Sequence, residues 1–249
     1  MGDHFLACGD SRDPKLVKKL IGDNEITVVL TDVPYGVAYV EGKKGFFEKK
    51  SDRKIIQNDH EQSEEEYSKF TQDWIEAIKP YLAGANTFYI FNSDKMLFAL
   101  REGMVKAGCK FAQLLIWVKT HAVIGRMDYL SQHELIAYGW VGKHKFRKSK
   151  DKSVLVCPKP SKSKEHPTMK PVGLLRRLIL NSTRVGDAVY DGFGGSGQTL
   201  LACEQTKRRC FMVEIDPDYC RVIIERYEKL SGRKAKRVTN VIKDDETGE

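Results

Sequence analysis

A glycine-rich turn near residue 190 constrains the fold of this chain more than any other stretch of its sequence. An apolar segment over residues 188–190 predicts a buried strand, and the turn at residues 191–197 has the sequence Asp-Gly-Phe-Gly-Gly-Ser-Gly. A helix is predicted over residues 196–205. Glycines between a strand and a helix let a ligand approach both the backbone and the helix N-terminus. The turn therefore predicts a ligand site within an α/β fold.

Three kinds of ligand site are candidates for this turn. Gly192, Gly194 and Gly197 match the dinucleotide pattern G-x-G-x-x-G, and Glu214 stands at the end of the next predicted strand. The phosphate-binding pattern G-x-x-x-x-G-K-[ST] is incomplete because its lysine is missing. The third kind is a nucleoside cofactor without a pyrophosphate, and Asp191 favours it because an acid before the loop would repel a pyrophosphate. Only about fifty residues follow the turn, whereas a dinucleotide fold normally starts with it.

A second polar motif follows another predicted strand, at residues 25–31. The sequence there is Thr31-Asp-Val-Pro-Tyr-Gly36, and by itself it is compatible with a simple turn. In doubly wound sheets, ligands bind in the crevice at the carboxyl ends of strands, at the point where the strand order reverses. If the strands that end at Asp32 and Asp191 are neighbours, both acids face one crevice, and the strand that ends at Glu214 flanks it.

Strands and helices alternate along the chain, which predicts a mainly parallel sheet with helices on both faces. The remaining predicted strands are 87–91, 111–118, 135–141, 153–157 and 210–215, and the remaining predicted helices are one that begins at Ser63 and three at 94–106, 171–182 and 216–230. We expect a doubly wound, Rossmann-like sheet in a single domain over residues 1–232. A polar tail at residues 233–249 follows this domain.

The basic charge of the chain is concentrated in two segments. The net charge is +8, and lysine and arginine are in excess in a loop at about 37–59 and in a segment at about 120–165. Basic clusters with nearby aromatic residues suit a phosphate backbone and unstacked bases, although a solvated loop has a similar composition. The candidate DNA-binding residues are Lys43, Lys44, Arg126, Lys143, Lys145, Arg147 and Lys148.

The composition also argues against several classes of protein. No apolar run approaches the length of a membrane span, and the N-terminus lacks the pattern of a secretory signal. The six cysteines include no C-x-x-C pair, so reduced core thiols are favoured over a zinc site or disulfides. We therefore expect a cytoplasmic protein that uses no metal.

Three motifs in a fixed order resemble those of amino-group DNA methyltransferases. Residues 191–197 resemble the D-P-F-x-G-S-G cofactor loop of that family, residues 166–171 its H-P-T-x-K-P segment, and residues 32–35 its D-P-P-Y catalytic motif. The catalytic motif comes first and the cofactor loop last, which is the circularly permuted order of the beta class. Val33 and Gly192 stand where the family has proline.

The resemblance covers roughly residues 5–230 and implies an S-adenosylmethionine-dependent enzyme that acts on double-stranded DNA. The expected reaction is methyl transfer to the exocyclic amino group of a flipped-out adenine, since an aspartate at the first catalytic position is more frequent in adenine-specific members. The alternatives are a cytosine-N4 methyltransferase and a weakly active or inactive DNA-binding protein on the same fold. A homodimer is also compatible with the beta class.

The resemblance assigns the catalytic roles to four consecutive residues. Asp32 and the backbone carbonyl of Val33 are expected to accept hydrogen bonds from the target amino group. Pro34 restricts residue 33 to an extended conformation, and Tyr35 offers a ring on which the base stacks. The catalytic site is therefore expected at the end of one strand.

The resemblance also assigns a set of residues to the cofactor. Glu214 is expected to accept hydrogen bonds from the ribose hydroxyls, and Thr168 and Lys170 are expected to hold the methionine carboxylate. The full set is Asp10, His166, Thr168, Lys170, Asp191, Phe193, Gly194, Gly195, Ser196, Gly197 and Glu214. The similarity extends to residues 116–119 and 133–134, to which it assigns no role.

Overall fold

The computed structural model describes residues 1–36, 62–122, 128–148, 150–158 and 169–238. Within these ranges, no helix is both long and apolar enough to cross a membrane. The described residues form one eight-stranded sheet with six α-helices. The predicted α/β class is therefore confirmed.

The strands and helices alternate over most of the chain. The strands are β1 (Phe5–Cys8), β2 (Ile26–Asp32), β3 (Leu82–Asn92), β4 (Lys110–Val118), β5 (His133–Trp140), β6 (Val154–Val156), β7 (Ala188–Asp191) and β8 (Arg209–Glu214). The helices are α1 (Pro14–Ile21), α2 (Glu64–Ile78), α3 (Leu97–Lys106), α4 (Val172–Ser182), α5 (Gln198–Thr206) and α6 (Pro217–Ser231). The strand order is β1-β8-β7-β2-β3-β5-β4-β6. Among these strands only β5 runs antiparallel to its neighbours.

The sheet is covered on both faces, as the alternation of elements predicts. Val29 of β2 belongs to a buried cluster with residues of α1, α2 and α3, whereas Val28 and Leu30 belong to a cluster with residues of α4, α5 and α6. Successive side chains of a strand point to opposite faces, so one apolar strand contributes to both clusters. An apolar run of this kind is typical of a parallel strand that is buried on both faces.

Helix α2 begins where the sequence predicts it. The Ser63 hydroxyl accepts a hydrogen bond from the Glu66 amide at 3.2 Å, and the Glu66 carboxylate accepts one from the Ser63 amide at 2.9 Å. This reciprocal capping box satisfies backbone donors that the first turn of a helix otherwise leaves unpaired. Tyr67 and Trp74, which are spaced by two helical turns, are fully buried against the sheet. The capping box therefore determines where α2 begins, and the buried aromatic residues determine which of its faces packs against the sheet.

The strand order reverses between β2 and β7. The chain passes from β2 through α2 to β3 on one side, and from β7 through α5 to β8 on the other. Asp32 and Asp191 thus end neighbouring parallel strands, and Glu214 ends the next strand beyond β7. The predicted adjacency of the three strand ends is confirmed, and it places these acids at the edge where doubly wound sheets bind ligands.

Two elements were not predicted from the sequence. Strand β1 has only four residues and no alternation of buried and exposed side chains, so its pairing with β8 defines it as a strand. Helix α1 carries ordinary start signals, since the Asp13 carboxylate accepts a hydrogen bond from the Lys15 amide and Pro14 is its first residue. Its eight residues make a short amphipathic pattern that is easily overlooked.

Two helical glycines provide a test of packing between α2 and α3. A methyl group on Gly103 of α3 would collide with the Ser68 carbonyl oxygen and lie 2.5 Å from Cβ of Thr71, whereas one on Gly173 of α4 would meet no atom within 4 Å. We expect Gly103→Ala to lower the free energy of unfolding by about 1–3 kcal/mol through overpacking. Gly173→Ala should be neutral or raise it by up to about 1 kcal/mol. Urea unfolding of both variants checks this, and equal effects would contradict the described contact.

Candidate active site

The turn after β2 is held from two sides. Tyr35 donates a hydrogen bond through its hydroxyl to Oδ1 of Asp32 at 3.1 Å. From α2, the Tyr67 hydroxyl donates to the Pro34 carbonyl at 2.9 Å. Val33 is buried in the core cluster that includes Tyr67. The turn that carries the predicted catalytic residues is therefore fixed both at its own tip and from the neighbouring helix.

Asp32 also contacts a lysine from a distant part of the chain. Lys170, just before α4, places Nζ 2.5 Å from Oδ2 of Asp32 and 3.0 Å from Oε2 of Glu134. Lys119, just after β4, places Nζ 2.9 Å from Oε1 of Glu134. We call these four residues, Asp32, Lys170, Glu134 and Lys119, the ionic chain. It lies at the carboxyl edge of the sheet and alternates negative and positive charge.

The ionic chain is largely removed from solvent. The side chains of Lys119 and Lys170 are 5% and 7% exposed, whereas a third of the Asp32 side-chain surface is exposed. Burial alone would lower the pKa of Lys170, but Asp32 and Glu134 together raise it above its usual range. Burial works against ionisation of Glu134 as well, but the two lysines lower its pKa to about 2. Lys170 and Glu134 are therefore charged, and Asp32 is the member that a ligand can reach.

Asp191 connects β2, β7 and the glycine-rich turn. Its Oδ1 atom accepts hydrogen bonds from the Thr31 hydroxyl at 2.8 Å and from the Phe193 amide at 3.1 Å. The residue is only 3% exposed. Burial raises its pKa to about 6, although hydrogen bonds from Thr199, Thr31 and the Phe193 amide oppose the shift. The predicted cofactor contact of Asp191 stays a prediction, and what the structure adds is a carboxylate engaged in holding the turn.

The glycines of the turn serve different purposes. A methyl group on Gly194 would lie 2.7 Å from Sδ of Met212, and Gly197 has φ +79 with Ile223 only 3.0 Å from a would-be Cβ. Gly195 has φ +51, and no atom lies within 4 Å of its would-be Cβ. Gly194 and Gly197 therefore let the loop pack against its neighbours, whereas the surroundings of Gly195 are open to a ligand.

Glu214 lies beside the open part of this turn. Its Oε2 atom accepts a hydrogen bond from the Gly195 amide at 2.6 Å, and its Oε1 atom accepts one from the Asp216 amide at 2.9 Å. The residue is 7% exposed, and burial raises the pKa of its carboxyl group above the usual value. Each oxygen of a carboxylate can accept more than one hydrogen bond. Glu214 can therefore also accept hydrogen bonds from ligand hydroxyls.

Asp10 and Phe193 lie on the same side of the site. The Gly9 amide donates to the Glu214 carbonyl at 3.0 Å, which places Asp10 near the end of β8. The Asp10 carboxylate accepts hydrogen bonds from the Arg12 guanidinium, with the shortest at 2.6 Å. Phe193 is half-buried and its ring lies 5.6 Å from the ring of Phe70. Ser196 is buried within the turn, at 5% exposure.

The structure places one group of the predicted DNA-binding residues, whose contact with DNA stays a prediction. Lys143 pairs with the first half of β3, because its carbonyl accepts a hydrogen bond from the Asn86 amide. Phe91, the β3 partner of Asp32, lies five residues further along the strand, which is about 17 Å at about 3.3 Å per residue. Lys143, Lys145, Arg147 and Lys148 therefore follow the end of β5 at the edge opposite to the catalytic turn, and not beside it.

The predicted contact of Lys170 with the methionine carboxylate stays a prediction. In the structure, the ammonium group of Lys170 contacts Asp32 and Glu134. The remaining predicted site residues that cannot be placed are Lys43, Lys44, Arg126, His166 and Thr168, and these, with the loop at 37–59, lie outside the described residues.

Sequence reasoning missed three residues of the site. Lys119 and Glu134 belong to short segments of noted similarity, but no role was assigned to them, and Tyr67 was interpreted only as part of a helical apolar stripe. A signal was present for the first two, because Lys119 directly follows the apolar strand β4 and Glu134 is a charged residue at the start of the apolar strand β5. Their mutual contact requires β4 and β5 to pair in the observed register, with Val118 opposite His133.

Comparisons with known proteins agree with this geometry. A family model described as DNA methylase matches residues 26–225. The type II methyltransferase M.HpaI of Haemophilus parainfluenzae is 24% identical over 253 aligned positions, which cover 91% of this chain and 74% of that protein. The type II methyltransferase M2.MboI of Moraxella bovis is 24% identical, with 84% of this chain and 83% of that protein covered.

Solved structures share the fold. The crystal structure of the M1.HpyAVI–SAM complex superposes with a TM-score of 0.65 at 21% identity and covers 89% of this chain and 98% of that chain. The PvuII DNA methyltransferase, described as cytosine-N4-specific, superposes with a TM-score of 0.71 at 17% identity, covering 89% of this chain and 85% of that chain. The similarity extends over most of both proteins in each case.

The buried carboxyl group of Asp191 predicts a pH-dependent contribution to stability. Its pKa is about 6 in the folded protein against an ordinary value of 3.8, so the folded state keeps this proton to higher pH than the unfolded state. The contribution is fully present below about pH 4 and is lost as the pH rises through 6, and two pKa units correspond to about 2–3 kcal/mol.

We therefore expect Asp191→Asn to flatten the decline of unfolding free energy between pH 4 and pH 6.5, because its side chain stays neutral. Urea unfolding at several pH values measures the slope, and Asp23→Asn, at an exposed position before β2, is the matched control. A slope that matches the wild-type protein in Asp191→Asn would refute the raised pKa.

Proposed function

Because this chain belongs to the DNA methylase family of N6/N4 amino-group methyltransferases, we propose that it methylates the exocyclic amino group of adenine in DNA. The methyl donor of the family is S-adenosylmethionine. The observation that carries the proposal is the Asp32 carboxylate, which stands at the reversal of strand order and keeps a third of its side-chain surface exposed. Aspartate at this position is more frequent among adenine-specific members of the family.

The chemical task of the site is to make a weak nucleophile react. The lone pair of an exocyclic amino group is delocalised into the ring, so the nitrogen must become pyramidal before it attacks. Two hydrogen-bond acceptors on its hydrogens favour this change and stabilise the positive charge that develops. Asp32 supplies one acceptor and the backbone carbonyl of Val33 the other. Both belong to a turn held by Tyr67, so the acceptors are fixed before the base arrives.

The target base has to leave the duplex to reach this turn. Extrusion costs a few kcal/mol, which stacking and hydrogen bonds in the pocket offset. Tyr35 lies next to Asp32 and offers a ring for stacking. Val118, at the end of β4, and His133, at the start of β5, lie opposite each other at the same edge of the sheet as Asp32.

The residues around the glycine-rich turn fit the cofactor. S-adenosylmethionine, when bound, supplies an activated methyl group on its sulfur. The open surroundings of Gly195 leave room beside the loop backbone, Glu214 offers a carboxylate for the ribose hydroxyls, and Phe193 offers an aromatic surface. Asp191, at the end of the strand beside β2, keeps this loop next to the catalytic turn.

Product analysis tests the proposed base. The protein is incubated with labelled S-adenosylmethionine and DNA of mixed sequence, and the DNA is digested to nucleosides. We expect label in N6-methyladenine, and we expect Asp32→Asn to lower the rate by at least about 100-fold, because one charged acceptor is lost. Cofactor binding by Asp32→Asn should remain near the wild-type value. Label found only in N4-methylcytosine would overturn the adenine assignment.

Calorimetry tests the role of Glu214. The variant Glu214→Gln keeps the size and one acceptor but loses the charge, and hydrogen bonds to charged groups contribute about 1.5–3 kcal/mol. We expect the dissociation constant of S-adenosylmethionine to rise by at least about tenfold. Glu225→Gln, on the exposed side of α6, is the matched control. If both variants bind the cofactor like the wild-type protein, Glu214 does not contact it.

A further inference from the structure

The burial of the ionic chain costs free energy, so its presence at this edge of the sheet needs an explanation. It brings together side chains from the end of β2, the segment before α4, and the facing ends of β4 and β5. Removal of charges from water costs several kcal/mol per ion, and an apolar replacement of a buried ion pair is often neutral or stabilising. A chain of four charges at the catalytic edge is therefore poorly explained by stability alone.

The hydrogen bonds of Asp32 show what the chain does to the catalytic carboxylate. Among the residues that the structure describes, Oδ2 is held by the Lys170 ammonium at 2.5 Å, and Oδ1 is held by the neutral hydroxyl of Tyr35 at 3.1 Å. Displacement of Lys170 from Oδ2 would take one of its two carboxylate partners from a buried ammonium group, whereas displacement of Tyr35 from Oδ1 would cost only the hydrogen bond of a neutral hydroxyl. Oδ1 is therefore the oxygen that an incoming amino group can take.

Lys170 is also confined sideways. Its Nζ atom lies 5.2 Å from the centre of the Phe91 ring and 5.7 Å from that of Tyr35. On the far side from Asp32, Glu134 holds it at 3.0 Å and is itself paired with Lys119. The ammonium group is thus enclosed by two carboxylates and two aromatic rings, which fix its position. That position in turn determines the orientation of the Asp32 carboxylate.

We propose that Lys170 and Glu134 are positioning residues for methyl transfer, with Lys170 fixing Oδ2 of Asp32 so that Oδ1 faces the amino group, and Glu134 holding Lys170 in place. Lys119 holds Glu134 through its ion pair with the other carboxylate oxygen, Oε1. This inference rests on the proposed catalytic role of Asp32 but holds for adenine and cytosine alike. It assigns Lys170 to the catalytic carboxylate and not to the carboxylate of the cofactor.

The charges around Asp32 give the proposal a measurable signature. Asp32 faces Lys170, Glu134 and Tyr35, and Asp191 lies at the end of the neighbouring strand. Burial raises the pKa of Asp32, Lys170 opposes that shift, and Glu134 adds to it. Since an ionised Asp32 is the better acceptor, the methyl-transfer rate should fall at low pH as this group takes up a proton.

The test is the pH dependence of single-turnover methyl transfer, measured as total label in DNA at saturating S-adenosylmethionine. We expect Lys170→Met to shift the acid limb of the profile upward by about 1–3 pH units, because an opposite charge near a carboxyl group lowers its pKa by that amount. Lys170→Arg should return the limb toward its wild-type position. Glu134→Gln should shift it downward, and Lys106→Met, at an exposed position of α3, should leave it unchanged.

A merely structural role predicts a different result, namely lower rates with no opposite movement of the acid limb. Glu134→Gln preserves size, so it keeps the test valid if Lys170→Met folds poorly, and thermal unfolding of each variant shows whether it folds. Calorimetry with S-adenosylmethionine is the second readout, and we expect Lys170→Met to bind within about twofold of wild type, a difference of less than about 0.5 kcal/mol.

The outcomes separate this inference from the proposed function. Near-wild-type transfer by Asp32→Asn would refute the catalytic role of Asp32 itself. Loss of transfer by Asp32→Asn, together with an unmoved acid limb in both Lys170→Met and Glu134→Gln, would overturn only the positioning roles. If Lys170→Met loses about tenfold in cofactor affinity, or about 1.4 kcal/mol, the proposal is wrong and Lys170 contacts the carboxylate of the cofactor instead.

Discussion

The hydrogen bond between Thr31 and Asp191 is the contact on which the rest of the site depends. It joins the ends of β2 and β7 at 2.8 Å, where the strand order of the sheet reverses. The same Asp191 oxygen accepts from the amide of Phe193, so the glycine-rich turn is connected to the catalytic turn through a single carboxylate. The reaction needs the methyl donor and the acceptor nitrogen to be close and aligned, and this contact sets the spacing of the two turns.

Burial of carboxylates at this edge has an electrostatic consequence. Asp32, Asp191 and Glu214 end three neighbouring strands, and burial raises the pKa of each. Each is stabilised by a different kind of partner: Asp32 by an ammonium, Asp191 by hydroxyls and an amide, and Glu214 by two amides. Among the described residues, Asp32 is the one of these three that has a charged partner, and its proposed role requires an ionised acceptor that is still reachable from the cleft. The ionic chain is consistent with that requirement.

The sequence predicts those parts of the molecule that depend on local patterns. Capping predicts the start of α2, and the apolar pattern predicts the strand before Asp191. The rule for doubly wound sheets predicts that Asp32 and Asp191 lie close together. The contact of Lys170 with Asp32 does not, because the two residues are 138 positions apart and no local pattern sets their distance. The basic stretch from Lys143 was placed by composition, and composition does not report at which edge of the sheet a segment lies. The edge is determined by β5, which runs antiparallel to β3 and β4 and therefore ends at the edge opposite to Asp32.

Val33 shows how a departure from a family motif can be compatible with its chemistry. The acceptor expected at this position is the backbone carbonyl, so the side chain is free to serve another purpose. In the structure Val33 is 2% exposed and belongs to the same core cluster as Tyr67 and Phe70 of α2. Pro34 already biases residue 33 toward an extended backbone, and a β-branched residue adopts that conformation readily. Valine therefore adds packing beneath the catalytic turn, and the hydrogen bond from Tyr67 to Pro34 holds the next peptide of that turn.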